Sequence, residues 1–219
     1  MSNHIGNSEH VLIAGRTGSG KTYAAKKYLT NYKNVVVLDT KGRVSWPEIP
    51  GSVWDPENPY ILLDGGPNLT LVTHLASLQF CRTPKIIYRP CWEEMNQDFY
   101  NRFFKWVYRR ENTIVWVDEV MSVSPNPSTL PEFYRACLTR GRELNIGVWS
   151  LTQRPSGINQ LVISESSHIF AFDLNLPQDR EKIVDVTGAR EFYEKPGKYL
   201  FWYYFVEWDR AIKAKLVES

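Results

Sequence analysis

The segment Gly15-Arg-Thr-Gly-Ser-Gly-Lys21-Thr22 constrains this chain more than any other stretch. Its spacing is G-x-x-x-x-G-K-[ST]. A short apolar run, His10-Val-Leu-Ile-Ala14, leads into it, and an Ala- and Lys-rich stretch of helical character follows. Phosphate binding requires that order of strand, glycine loop and helix. Glycines let backbone N–H groups turn inward onto phosphate oxygens, and the helix adds the positive end of its dipole. Gly15, Arg16, Thr17, Gly18, Ser19 and Gly20 read as the cradle, Lys21 as the side chain that reaches the β- and γ-phosphates, and Thr22 as a Mg²⁺ ligand. A nucleoside triphosphate is therefore the expected ligand.

The rest of the chain alternates apolar runs with amphipathic stretches. Strands are expected over 10–14, 34–39, 85–89, 113–117, 146–152 and 167–172, and helices over 21–31, 93–110, 131–143 and 177–186, with a weaker helix over 69–80. In the 93–110 helix, Met95, Phe99, Phe103, Trp106 and Arg110 fall on one face and predict an apolar stripe with a basic end. Residues 1–9 read as a loose arm. The Pro- and Gly-rich stretch 41–67 reads as turn and loop with a short extended piece at 60–63, and 122–131 as an exposed loop. The tail, 198–206 and 210–217, reads as a β-hairpin across 207–209. Strands alternating with helices predict a mostly parallel sheet covered on both faces. A chain of 219 residues is long enough to build this as one α/β domain.

Composition excludes some alternatives. The net charge is only +2, so a polyanionic partner must be met by a local patch. Cys81, Cys91 and Cys137 contain no C-x-x-C, and the four His residues complete no zinc spacing, so reduced, buried thiols are expected. No signal peptide opens the sequence, and its longest apolar stretch, Tyr199 to Val206, is far short of the ~20 residues of a membrane helix. A soluble intracellular protein is expected.

Three further segments carry chemistry. Ile114-Val-Trp-Val-Asp118-Glu119 is an apolar strand ending in two acids. Asp118 is placed to organise Mg²⁺ with Thr22 (the Walker B role beside the Walker A loop), and Glu119 to polarise an attacking water as general base. Ile146-Gly-Val-Trp-Ser-Leu-Thr-Gln153-Arg-Pro155 is a strand ending in an amide, which can sense a γ-phosphate through a hydrogen bond. Val36-Val-Leu-Asp39-Thr-Lys41-Gly42 ends on the same sheet edge, where ligands bind in open α/β sheets.

Together, GRTGSGKT, LDTKG (like I-D-P-K-G), VWVDE and LTQRP (like T-Q-R-P) resemble the HerA/FtsK superfamily of ring-forming P-loop motors, over residues 10 to about 155. The resemblance implies a RecA/ASCE-like three-layer sandwich with strand order 5-1-4-3-2, a hexameric ring, and ATP-driven movement of double-stranded DNA. It also implies an arginine finger from a neighbouring subunit. Arg142, then Arg140, match the approach to the TQRP strand in Arg135 to Gly147. The lack of accessory domains resembles the genome-packaging ATPases of tailless, membrane-containing icosahedral viruses. That likeness implies a capsid or portal partner and a place in the host cytoplasm or on the virion. Lys41, Arg43, Arg154 and the cluster Arg102, Lys105, Arg109 and Arg110 are candidate DNA contacts. The alternatives are a conjugation-coupling or phage-export motor acting on DNA at a membrane, a P-loop phosphotransferase, and a non-enzymatic nucleotide-gated module. The place of the aromatic tail hairpin is left open.

Overall fold

In sequence order the chain forms β1 (Val11–Ala14), α1 (Lys21–Leu29), β2 (Val35–Leu38), β3 (Leu63–Asp64), β4 (Leu69–Val72), β5 (Lys85–Tyr88) and α2 (Gln97–Arg110). Then follow β6 (Ile114–Val117), α3 (Val120–Val123), α4 (Glu132–Arg140), β7 (Gly147–Thr152), α5 (Gln160–Ser164), β8 (His168–Ala171), α6 (Pro177–Thr187), β9 (Leu200–Phe205) and β10 (Ile212–Lys215). The structure is a computed structural model and describes residues 5–45, 63–64 and 69–216, with 63–64 described through their backbone. Most of the expected loop 41–67 lies outside the described residues; of the extended piece expected at 60–63, residue 63 is described, in β3.

The described strands form one ten-stranded sheet in the order β10-β9-β8-β1-β7-β6-β2-β5-β4-β3. β8, β1, β7, β6, β2, β5 and β4 run parallel, and β3, β9 and β10 pair antiparallel. This is not a five-stranded sheet of order 5-1-4-3-2. Strands β3, β4 and β5 extend it beyond β2, and the tail hairpin extends it beyond β8. β9 pairs with β8 from Ala171↔Trp202 to His168↔Phe205, which places the hairpin on the chain's own sheet.

Both faces are covered. Leu12, Ala14, Val36, Leu38, Val115 and Val117 point to one side, where they meet α2, α4, α5 and α6. Val11, Ile13, Val35, Val37, Trp116 and Trp149 point to the other, under α1 and the aromatic residues Phe201 and Tyr203. Strands buried on both faces read as continuous apolar runs, and so these strands are recognisable in the sequence.

Three local expectations need correction. The 69–80 stretch is not a helix: Leu69–Val72 is a buried strand paired with β5, and a 3₁₀ turn follows at Leu75–Phe80. Cross-strand pairing outweighs weak helix propensity there. The deep face of α2 is Tyr100, Phe103, Phe104 and Val107, while Phe99 and Trp106 are only partly buried. Aromatic residues surround this helix, so their period does not set its phase. The opening segment is packed from residue 5, with residues 1–4 outside the described range. Ile5 is buried and its carbonyl accepts from the Tyr32 hydroxyl at 2.5 Å. A Cβ on Gly147 would collide with the carbonyl oxygen of Asn7.

Candidate active site

The carboxyl ends of β1, β2, β6 and β7 lie side by side at one sheet edge, and the four chemistry-bearing segments leave from them. Gly15 follows β1 directly. A Cβ there would stand 2.6 Å from Ser19 Oγ and 2.7 Å from Phe172 Cβ, so the loop closes only around glycine. Gly18 (φ 76°) and Gly20 (φ 104°) occupy the left-handed region, which points successive N–H groups to the same side. Gly20 then caps α1, whose first residue is Lys21.

Lys21 Nζ donates to Gly15 O at 2.6 Å and to Arg16 O at 3.0 Å, spanning the loop it belongs to. Burial lowers its pKa to about 8, offset in part by Glu119. Thr22 Oγ1 donates to Asp118 Oδ1 at 3.2 Å, so the two expected Mg²⁺ ligands meet. Desolvation, followed by the charge of Asp39, raises Asp118 to about 6. The Thr22 hydroxyl and the Lys41 charge offset only part of this rise. Ser19 Oγ is buried and hydrogen-bonded to nothing among the described residues. An orphaned hydroxyl, inward-turned amides, a lysine and a Thr–Asp pair fit a magnesium-bound triphosphate. Thr17, Gly18, Lys21, Thr22, Lys41, Arg43, Asp118 and Gln153 line a cavity of about 460 Å³ at this point.

Glu119 and Gln153 converge on the same cavity. Glu119 is 5 % exposed and accepts from Lys41 Nζ at 2.6 Å and from Gln153 Nε2 at 2.8 Å, both on Oε2. Gln153 Oε1 accepts from Thr17 Oγ1 at 2.7 Å. The amide thus links the base candidate to the glycine loop. The loop after β7 is anchored by Asp179, which accepts from Ser156 N at 3.1 Å and Ser156 Oγ at 2.6 Å and pairs with Arg154 at 3.1 Å. Asp39, fully buried, accepts from Arg43 N, Val44 N and Arg89 Nε at 3.0–3.1 Å and so shapes the turn that carries Lys41. Arg16 reaches Asp173 at 2.9 Å. Beyond Ser19 and Gly20 a second cavity, about 200 Å³, is flanked by the exposed rings of Tyr23 and Tyr199 and by Phe172.

Several expected residues are placed elsewhere. Lys41, a candidate DNA contact, is ion-paired with Glu119, and Arg154, another, with Asp179. Arg43 lines the main cavity. Arg102, Lys105 and Arg110 lie over the rings of Phe99, Phe133 and Trp106 on the helical face, far along the chain from the loop edge. Arg140 and Arg142 precede β7, at the opposite edge of the sheet from Gln153. Six strand residues separate the two ends, roughly 20 Å. Arg142 there donates to Ser167 Oγ at 2.8 Å. Neither arginine reaches the cavity of its own chain. The link from Thr17 to Gln153, and the bracing roles of Asp179 and Arg89, were not legible, because each acts through a partner more than 20 positions away.

No protein-family model matches the sequence, and no curated protein does. Solved structures with the same fold do. The genome packaging NTPase from Sulfolobus turreted icosahedral virus 2, solved with ATP-gammaS, superposes with a TM-score of 0.74 at 18% identity over 98% of this chain and 100% of that one. VirB4 of Thermoanaerobacter pseudethanolicus gives 0.61 at 12% identity, covering 96% and 89%. The pCW3 conjugation coupling protein TcpA gives 0.57 at 14% identity, covering 94% of this chain and 59% of that one. At these identities the likeness is one of fold, and that fold is shared with a packaging NTPase, a VirB4 protein and a conjugation coupling protein.

Proposed function

We propose that this chain is an ATPase that translocates double-stranded DNA, packaging a viral genome into a preformed capsid as a ring of identical subunits. The observation that carries this reading is the chain Thr17–Gln153–Glu119, which ties the phosphate loop to a buried carboxylate at the neighbouring strand end. A binding module or a phosphotransferase has no need of that linkage. A hydrolase must hold a base at fixed distance from the terminal phosphate and register when that phosphate is gone.

In this reading residues 1–219 form one P-loop ATPase domain. Taking β1, β2, β6, β7 and β8 as first to fifth, the central part β8-β1-β7-β6-β2 follows the order 5-1-4-3-2. Lys21 and the loop amides bind the triphosphate, and Thr22 with Asp118 hold Mg²⁺. When bound, the ion would supply charge neutralisation to the phosphates. Glu119 takes the proton of the attacking water, and Lys41 and Gln153 hold its carboxylate in place. The base of the nucleotide lies between Tyr23 and Tyr199, whose exposed rings offer stacking surfaces. Arg142 or Arg140, at the far sheet edge, serves the site of the next subunit. Among the described residues no helix is long and apolar enough to cross a membrane.

The test is ATP hydrolysis by the full chain with and without long duplex DNA. Stimulation by DNA, with Glu119→Gln abolishing hydrolysis while nucleotide binding persists, is the expected result. Phosphate transfer to a small acceptor, or hydrolysis indifferent to duplex DNA, would overturn the motor reading.

A further inference from the structure

We propose that His74, Cys91 and Glu94 form a zinc site that staples the carboxyl ends of β4 and β5, outside the nucleotide cavity. No spacing in the sequence announces it; the sheet assembles it. β4 and β5 run parallel, with Val72 opposite Tyr88. Their pairing continues past the strands through Arg89 N to Val72 O at 2.9 Å and Cys91 N to Thr73 O at 3.1 Å. His74 and Cys91 are thereby brought together. Cys91 then opens the 3₁₀ turn Trp92–Glu94, and Glu94 N donates to Cys91 O at 3.0 Å, which folds Glu94 back over both strand ends.

The distances are those of a coordination sphere. His74 Nδ1 stands 3.6 Å from Glu94 Oε1 and 3.6 Å from Cys91 Sγ, and the three candidate donor atoms all lie within 4.8 Å of one another. A tetrahedral zinc with bonds of about 2.0–2.3 Å to nitrogen, oxygen and sulfur separates its ligand atoms by roughly 3.3–3.7 Å. The nitrogen–oxygen gap is too long for a hydrogen bond. It is the right length for a tetrahedron edge.

Glu94 is also held as a ligand is held. It is 8 % exposed, and its Oε2 accepts from Tyr88 Oη at 2.5 Å and from Leu75 N at 2.8 Å. Outer donors on one oxygen orient the other toward the metal. Nitrogen, thiolate and carboxylate together favour zinc over magnesium or calcium, which prefer oxygen alone. The fourth position is left to water. Binding displaces the thiol proton of Cys91 to solvent. Two residues before Cys91, Arg89 bonds Asp39 at 3.0 Å, so the staple also fixes the strand end that braces the Lys41 turn.

The experiment is cobalt substitution of the full-length chain stripped of metal. One equivalent of Co²⁺ should give the near-ultraviolet thiolate-to-cobalt absorption, which zinc then bleaches by displacement. The band should vanish in Cys91→Ser, and affinity should fall at least about tenfold in His74→Ala. Co²⁺ at Thr22 and Asp118 has no sulfur ligand and gives no such band, so the result does not depend on the nucleotide site. Should the Cys91→Ser chain fail to fold, the wild type decides alone: a chelator should lower its melting temperature by several degrees, restored by zinc. No thiolate band in the wild type, a band that survives Cys91→Ser, or a melting temperature indifferent to chelator would overturn the site.

Discussion

Gln153 donates from Nε2 to Glu119 Oε2 at 2.8 Å, and its own Oε1 accepts from Thr17 Oγ1 at 2.7 Å. An amide donates from one atom and accepts at the other, so one side chain serves both partners. Gln153→Glu sets a second carboxylate against Glu119, and Gln153→Ala leaves Glu119 Oε2 without the amide that ties it to the glycine loop. Both should lower kcat by about 10²-fold through misplacement of the base, with little change in nucleotide affinity. Steady-state hydrolysis together with a nucleotide-binding titration checks this. Loss of binding in proportion to activity would count against it.

Lys41 separates two readings of one charge. As the partner of Glu119 at 2.6 Å, it should matter to hydrolysis even without DNA, and Lys41→Ala should cut basal kcat by about tenfold or more. As a phosphate contact it would instead change the salt dependence of DNA binding and spare basal turnover. Measuring both quantities on one variant distinguishes them.

Asp118 carries a cost in stability that its role explains. Its folded pKa of about 6 lies above the ordinary 3.8, so the buried carboxylate destabilises the fold above pH 6, and protonation relieves this as pH falls from 6 to 3.8. Asp118→Asn should therefore be more stable than wild type at pH 7.5, by at most about 3 kcal/mol, and lose that advantage near pH 4. It should also lose magnesium-dependent hydrolysis. In the wild type, Mg²⁺ must displace the proton, so magnesium-nucleotide affinity should weaken below pH 6. Calorimetric unfolding and binding titrations across pH test both statements.

His10 sets an acid limit. It is fully buried; its Nδ1 accepts from Val148 N at 3.0 Å and its Nε2 donates to Leu138 O at 2.9 Å, an arrangement that needs the neutral ring. Burial, aided by Arg142, lowers its pKa from 6.5 to about 4. The unfolded chain takes up the proton first. This contribution is complete above pH 6.5 and is lost as pH falls from 6.5 to 4, by about 3 kcal/mol in all. Denaturant unfolding of the wild type against His10→Gln at pH 7 and pH 4.5 should show the steeper acid loss in the wild type.

Arg142 and Arg140 lie too far from their own loop to act on it. Arg142→Ala subunits mixed with wild type should depress activity more than their share, because each spoils a neighbour's site. Strictly proportional activity in mixtures of either variant would remove both residues from this role.

Much of the site was legible because its elements are contiguous. The glycine loop sits between a strand and a helix that the same eight residues punctuate, and Asp118, Glu119 and Gln153 end apolar runs too hydrophobic for anything but buried parallel strands. The misreadings arose where local pattern was ambiguous. Residues 69–72 form a strand only because β5 is there to pair with them, and the aromatic ring around α2 hides which face is inward. The cluster of His74, Cys91 and Glu94 has no spacing to notice; parallel register between β4 and β5 creates it.

Residue order alone determined that this chain holds a phosphate loop and which acids and amide stand at strand ends, since backbone freedom, periodicity and charge act over a few neighbouring positions. Only the tertiary structure decided that Lys41 pairs with Glu119, that Thr17 reads Gln153, that Arg142 sits at the far edge, and that the tail hairpin extends the chain's own sheet. Those choices follow from the register and order of strands distant in sequence, where burial of two sheet faces at once selects one arrangement among many.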